Sequence, residues 1–129
     1  MANVLSTQIL VDGERNVVVK ITGVLDTSNV SATTVVDPAS FTPLPTNFRV
    51  DRVDYSVDNP LAVRLVWDAT ADVDILTLFQ SGNMKFAKIG GLRNNAGAGV
   101  TGKIQLLTQG YTAGTLTFSV VLTLIKMYA

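Results

Sequence analysis

The chain has 129 residues, which fits one domain long enough to bury a real core. It contains no Cys and no His. That excludes disulfide frameworks, thiol nucleophiles, zinc–thiolate centres, Ser-His-Asp and Cys-His catalysis, and the usual base near neutral pH. Ten basic and ten acidic residues leave a formal net charge of zero, so no global field favours nucleic acid or an anionic membrane.

Val and Thr are abundant, Gly numbers 10, and nine of the ten acids are Asp. β-Branched side chains suit a pleated surface, and Asp and Gly suit its corners, so the composition predicts an all-β protein. In chain order, Ser6 to Val11 leads through Asp12-Gly13, a strong hairpin signal, into a strand over Arg15 to Val24. In that second strand Val17, Val19 and Ile21 share one face, and the pair reads as an edge hairpin. Leu25 to Asn47 contains Pro38, Pro43 and Pro45 and reads as a long loop or arm, with at most one short strand near Thr33 to Val36.

Phe48 to Val57 reads as a strand ending before the Asp58-Asn59-Pro60 turn. Ala62 to Asp68 follows, with Val63, Leu65 and Trp67 on one face, and then Asp72 to Phe79. Ser81-Gly82-Asn83 reads as a turn before a strand over Met84 to Ile89. Gly90 to Gly102 is too rich in Gly, Asn and Ala for a regular element. Lys103 to Thr108 and Thr115 to Met127 are the final strands, and Leu116, Phe118, Val120, Leu122 and Leu124 give the last one an unbroken apolar face. It is expected to run through the core. Seven or eight strands with unequal connections predict a single antiparallel β-sandwich, jelly-roll-like, spanning 1–129.

Four features bear on chemistry. Gly97 to Lys103 meets the G-x-x-x-x-G-K part of a phosphate-binding loop, but Ile104 stands where Ser or Thr would hold magnesium, and a strand follows in place of a helix. Asp68, Asp72 and Asp74, with Asp58 nearby, lack the spacing and the bidentate Glu of a calcium loop. The aromatic residues Trp67, Phe79, Phe86, Tyr111 and Tyr128 could form a sugar-binding platform, though alternation points Trp67 at the core. A single Glu and no marked Asp pair argue against glycoside hydrolysis. No catalytic residue, cofactor or metal is expected. All ten acids lie at or before Asp74, against five bases there, and five bases follow with no acid. Either the sheets interleave these halves, or opposite patches meet between neighbouring copies.

The run VRLVWDATADVDIL from Val63 to Leu76, GGLRNNAGAGVTGKI from Gly90 to Ile104 and the ending Lys126-Met127-Tyr128 together resemble a family of small virion proteins of tailed bacteriophages. The resemblance covers roughly Ala62 to Ala129. It implies a structural protein of the particle, a head decoration or cement subunit that bridges capsid subunits, assembled in the bacterial host cytoplasm. Its expected partners are the major capsid protein or another virion protein and further copies of itself, as a homotrimer by fold analogy. Nucleic acid, membrane and small-molecule substrate are not expected partners, and no signal peptide or membrane span is read from the chain. The expected interface residues lie in the two long loops: Val30, Val35, Val36, Pro38, Phe41 and Pro43 in the first, and Arg93, Asn94, Asn95, Gly97 and Gly99 in the second. The alternatives are a neck, tail or baseplate component, or a carbohydrate-binding sandwich module.

Overall fold

The computed structural model describes residues 3–94 and 97–127. Among the described residues nine strands form: β1 (Val4–Asp12), β2 (Asn16–Leu25), β3 (Thr33–Val36), β4 (Asn47–Val57), β5 (Ala62–Trp67), β6 (Val73–Phe79), β7 (Ser81–Lys85), β8 (Ile104–Gln109) and β9 (Leu116–Met127). Short 3-10 turns occupy Pro38–Ser40 and Ala87–Ile89. One sheet has the order β1-β2-β9-β4-β7 and the other β3-β8-β5-β6, with every pair antiparallel. Only β1–β2 and β5–β6 are hairpins within a sheet; the other connections cross between sheets. Without β1, the orders 2-9-4-7 and 3-8-5-6 are those of a jelly roll.

The core follows from alternation. β2 alternates strictly, burying Val17, Val19, Ile21 and Leu25. β9 buries Phe118, Val120, Leu122 and Leu124 and lies between β2 and β4, at the centre of its sheet. From the facing sheet come Val63, Leu65, Trp67, Ile104 and Leu106, which join them in one continuous cluster. Trp67 is only 1% exposed, so it packs in the core and offers no sugar platform.

Three readings are corrected. Among the described residues the strands number nine, because the short β3 and β7 both pair into sheets. Ser81-Gly82-Asn83 is no turn: these residues lie in β7, opposite Ser56, Tyr55 and Asp54 of β4. The reversal falls one residue earlier, at Gln80 with φ 64°, because the chain must cross from one sheet to the other between β6 and β7. Ladder pairing to β4 outweighs the turn preference of Ser, Gly and Asn. The strand expected over Met84 to Ile89 accordingly ends at Lys85.

One glycine is set by packing. Gly23 occupies an inward position of β2 directly opposite Phe118, and an added Cβ would overlap the Phe118 ring. Gly23→Ala is expected to force that ring aside and cost about 1–3 kcal/mol, read from the midpoint of urea unfolding.

Candidate functional site: the long-loop end of the sandwich

Strand directions place the connections at two ends. At one end lie the 26–32, 58–61, Gln80 and 110–115 connections. At the other lie the β1–β2 turn, the 37–46 segment, the 68–72 turn, the 86–103 loop and the end of β9. Both long loops singled out in the sequence therefore meet at one end, and each is held down by the chain's own contacts.

The first loop is anchored around Lys126. Alternation continues from Leu124 and points Lys126 inward, where it is 4% exposed. A buried ammonium needs compensation. Its Nζ donates to Asp12 Oδ1 at 2.8 Å and to the Pro43 carbonyl at 2.8 Å, and lies 5.7 Å from the centroid of the Phe41 ring. Thr42 N donates to the second Asp12 oxygen at 3.1 Å. The Lys126 hydrogen bond first, and the Thr42 amide next, hold the Asp12 carboxyl below the usual carboxylate range. Phe41 packs edge-on against Phe48 with centroids 5.2 Å apart. Asp37 Oδ1 accepts from Ala39 N at 3.0 Å and caps the 3-10 turn, and Thr46 N donates to the Met127 carbonyl at 2.7 Å.

The second loop is stitched to the turn after β5. Thr70 N donates to the Ala98 carbonyl at 3.0 Å, Asp68 N to the Lys103 carbonyl at 3.0 Å, and Thr101 Oγ1 to Asp68 Oδ2 at 2.7 Å. Gly99, at φ +80°, lies so close to Thr70 that a Cβ would overlap its Oγ1. The close approach that these glycines permit is thus to the same chain. Ile104 opens a strand, so no helix follows Lys103 and the phosphate-loop geometry is absent there. The carboxylates of 68–74 are engaged separately: Asp68 with Thr101, Asp72 with the Ala69 amide at 3.1 Å, and Asp74 with Arg64.

The expected interface residues divide accordingly. Val35 (8% exposed), Val36 (1%), Phe41 (3%) and Pro38 are buried in this chain's own core, so they cannot face a neighbour. The segment is no free arm, because β3 is a sheet strand and the rest folds over the sandwich end. Val30 is half-buried and lies at the opposite end of the sandwich, donating to Thr108 Oγ1 at 2.8 Å and accepting from Thr108 N at 3.1 Å. Pro43, Arg93, Gly97 and Gly99 are exposed at the long-loop end, Asn94 is half-buried there, and Asn95 lies outside the described residues.

Two shallow depressions flank these loops. One, of about 540 Å³, is lined by Glu14, Arg15, Pro43, Arg49, Ile125 and Met127 beside Lys126. The other, of about 290 Å³, runs from Trp67 and Asp74 to Leu92 and Arg93. Sequence reading missed Arg15, Arg49 and Lys126; the inward parity of Lys126 on β9 was the one signal available. β8 and β9, from the acid-free half, each lie between strands of the acidic half, but β8 carries no charge and β9 only Lys126; Lys85 ends the edge strand β7, and Lys88, Arg93 and Lys103 follow it in the 86–103 loop.

Comparison of the chain with protein-family models and with curated proteins finds no match.

Breaking the Lys126–Asp12 pair from its two sides should give unequal results. Asp12→Asn leaves the buried ammonium uncompensated and is expected to lower the melting temperature at pH 7. Because folded Asp12 titrates below the usual carboxylate range, its stabilisation is complete above about pH 4 and is lost as pH falls through the lowered value. The gap between Asp12→Asn and the parent chain should therefore narrow in acid. Lys126→Met should cost less, since Met fills the space uncharged while Asp12, with its side chain 28% exposed, turns to water.

Proposed function

We propose that this chain is a non-enzymatic structural subunit of a tailed-phage particle, a decoration or cement protein of the head that binds through its long-loop end. The observation that carries this reading is where the virion-like blocks fall. Val63 to Leu76 and Gly90 to Ile104, far apart in sequence, meet through Asp68, Thr70, Ala98, Thr101 and Lys103 and build one surface. Val100 on that surface is 49% exposed, and the same end of the sandwich also bears Ile89 at 71%, Leu44 at 64% and the exposed Arg93. Apolar side chains on loops already held in place lose little entropy on docking. A cement subunit works by summed interface area across seams between capsid subunits and does no chemistry.

Immunogold labelling of purified particles tests the location: label over the heads is expected. Label confined to tails would instead support a neck, tail or baseplate component, and absence from particles would remove the proposal. For the contact itself, Ile89→Asp with Val100→Asp should weaken attachment to heads by about tenfold or more in a co-sedimentation assay, with the melting temperature unchanged. Both side chains are exposed, so the fold should not need them.

A further inference from the structure

The free edges of the two sheets are unequal. β3 offers four residues, β7 offers five and carries Lys85, and β6 carries Asp74. β1 offers nine, and from Val4 to Val11 it holds neither a charge nor a proline. Soluble proteins guard long free edges with charge, proline, shortness or a bulge. The one such device on β1 is the bulge at Leu10, which leaves Val4 to Ile9 regular.

The faces of β1 are unequal to their positions as well. Pairing with β2 puts Leu5, Thr7 and Ile9 on the inward face, opposite Gly23, Ile21 and Val19. Yet the four-stranded sheet does not extend under β1. Leu5 is half-buried and every other residue of the strand is exposed, with Val4, Ile9, Leu10 and Val11 at 56%, 46%, 46% and 47%. With Val24 on β2, this hairpin holds five of the chain's large exposed apolar side chains.

We propose that β1 pairs with β1 of a second copy, antiparallel about a two-fold axis at Thr7, so that two five-stranded sheets become one continuous sheet. Length favours this occupant: in this register β1 against β1 pairs seven residues, Val4 to Leu10, whereas β1 against β7 of a neighbour could pair at most five. Side-chain chemistry agrees. With Thr7 opposite Thr7, Leu5 of each copy faces Ile9 of the other, and Ser6 faces Gln8 on the opposite face; such Thr and aliphatic cross-strand pairs are favourable. Electrostatics do not oppose it, because no charge lies between Val4 and Val11 and the net charge of each copy is zero.

The contact is small. The seven paired residues span about 23 Å, and such a strip with side chains on both faces buries less than about 800 Å² in total, below the size of a standard stable interface. The dimer should therefore dissociate in roughly the micromolar range and gain weight where copies are crowded on a surface. This pairing does not rest on the virion reading, and it gives a mass of two copies where fold analogy gave three.

The test is light scattering of the full chain after size-exclusion chromatography, over a concentration series, with three variants. Because the chain has no Cys, single cysteines report the register cleanly. The parent chain is expected to approach twice its 13.7 kDa mass as concentration rises. Thr7→Lys, at an exposed position, should keep the parent circular dichroism spectrum and remain at the mass of one copy. On mild oxidation Thr7→Cys should form a covalent dimer. Val4→Cys, about 20 Å from its mate in this register, should not. A parent chain that stays monomeric at every concentration, a mass of three copies, association undiminished in Thr7→Lys, or equal cross-linking at both cysteines would each overturn the proposal.

Discussion

The structure depends on β9. This strand supplies the centre of the five-stranded sheet, with β2 on one side and β4 on the other, so the β1–β2 hairpin and the β4–β7 pair are not joined into one sheet until the end of the chain is in place. Its inward residues also form the floor on which the second sheet packs. Because the central pairings join residues far apart in sequence, the fold is dominated by non-local contacts, which is the slow-folding, highly cooperative regime of β-sandwiches. The same alternation has a local consequence at the end of the strand. A lysine arrives at an inward position, and the Asp12 carboxylate, the Pro43 carbonyl and the Phe41 ring are arranged to receive its ammonium.

That arrangement explains why the long proline-containing segment is ordered. Its prolines exclude a regular ladder, yet Phe41 is drawn into the core beside Phe48, and the Thr42 amide and Pro43 carbonyl both serve the Lys126–Asp12 pair. The glycine-rich segment is fixed differently, by backbone hydrogen bonds to the turn after β5 and by the absence of a Cβ at Gly99. In both loops the features that suggested reach toward a neighbour are spent on the chain itself. What faces outward are the side chains left over: Leu44, Ile89, Val100 and Arg93.

The molecule thus offers two different kinds of contact surface. The long-loop end presents isolated apolar tips among charges on locked loops, suited to a shaped partner. The β1 edge presents unpaired backbone with few side-chain demands, suited to another strand. They lie on different parts of the sandwich, so a subunit using one leaves the other available.

The sequence alone determined the elements in which one physical signal dominates. Alternation marked β2, with Val18 as its exception, and β9, and buried Trp67; Asp12-Gly13 marked the first hairpin, and the count of strands with unequal connections pointed to a jelly roll. These hold because inward and outward positions repeat every two residues, whatever the strand pairs with. The tertiary structure decided everything that depends on which strands become neighbours. It turned Ser81-Gly82-Asn83 into a strand by giving it β4 as a partner, buried Val35, Val36, Pro38 and Phe41 in the core, and set β8 and β9 between strands from the first half of the chain. It also left β1 overhanging a narrower sheet, a mismatch of five strands against four that no local pattern encodes, because it arises only when the two sheets are laid together.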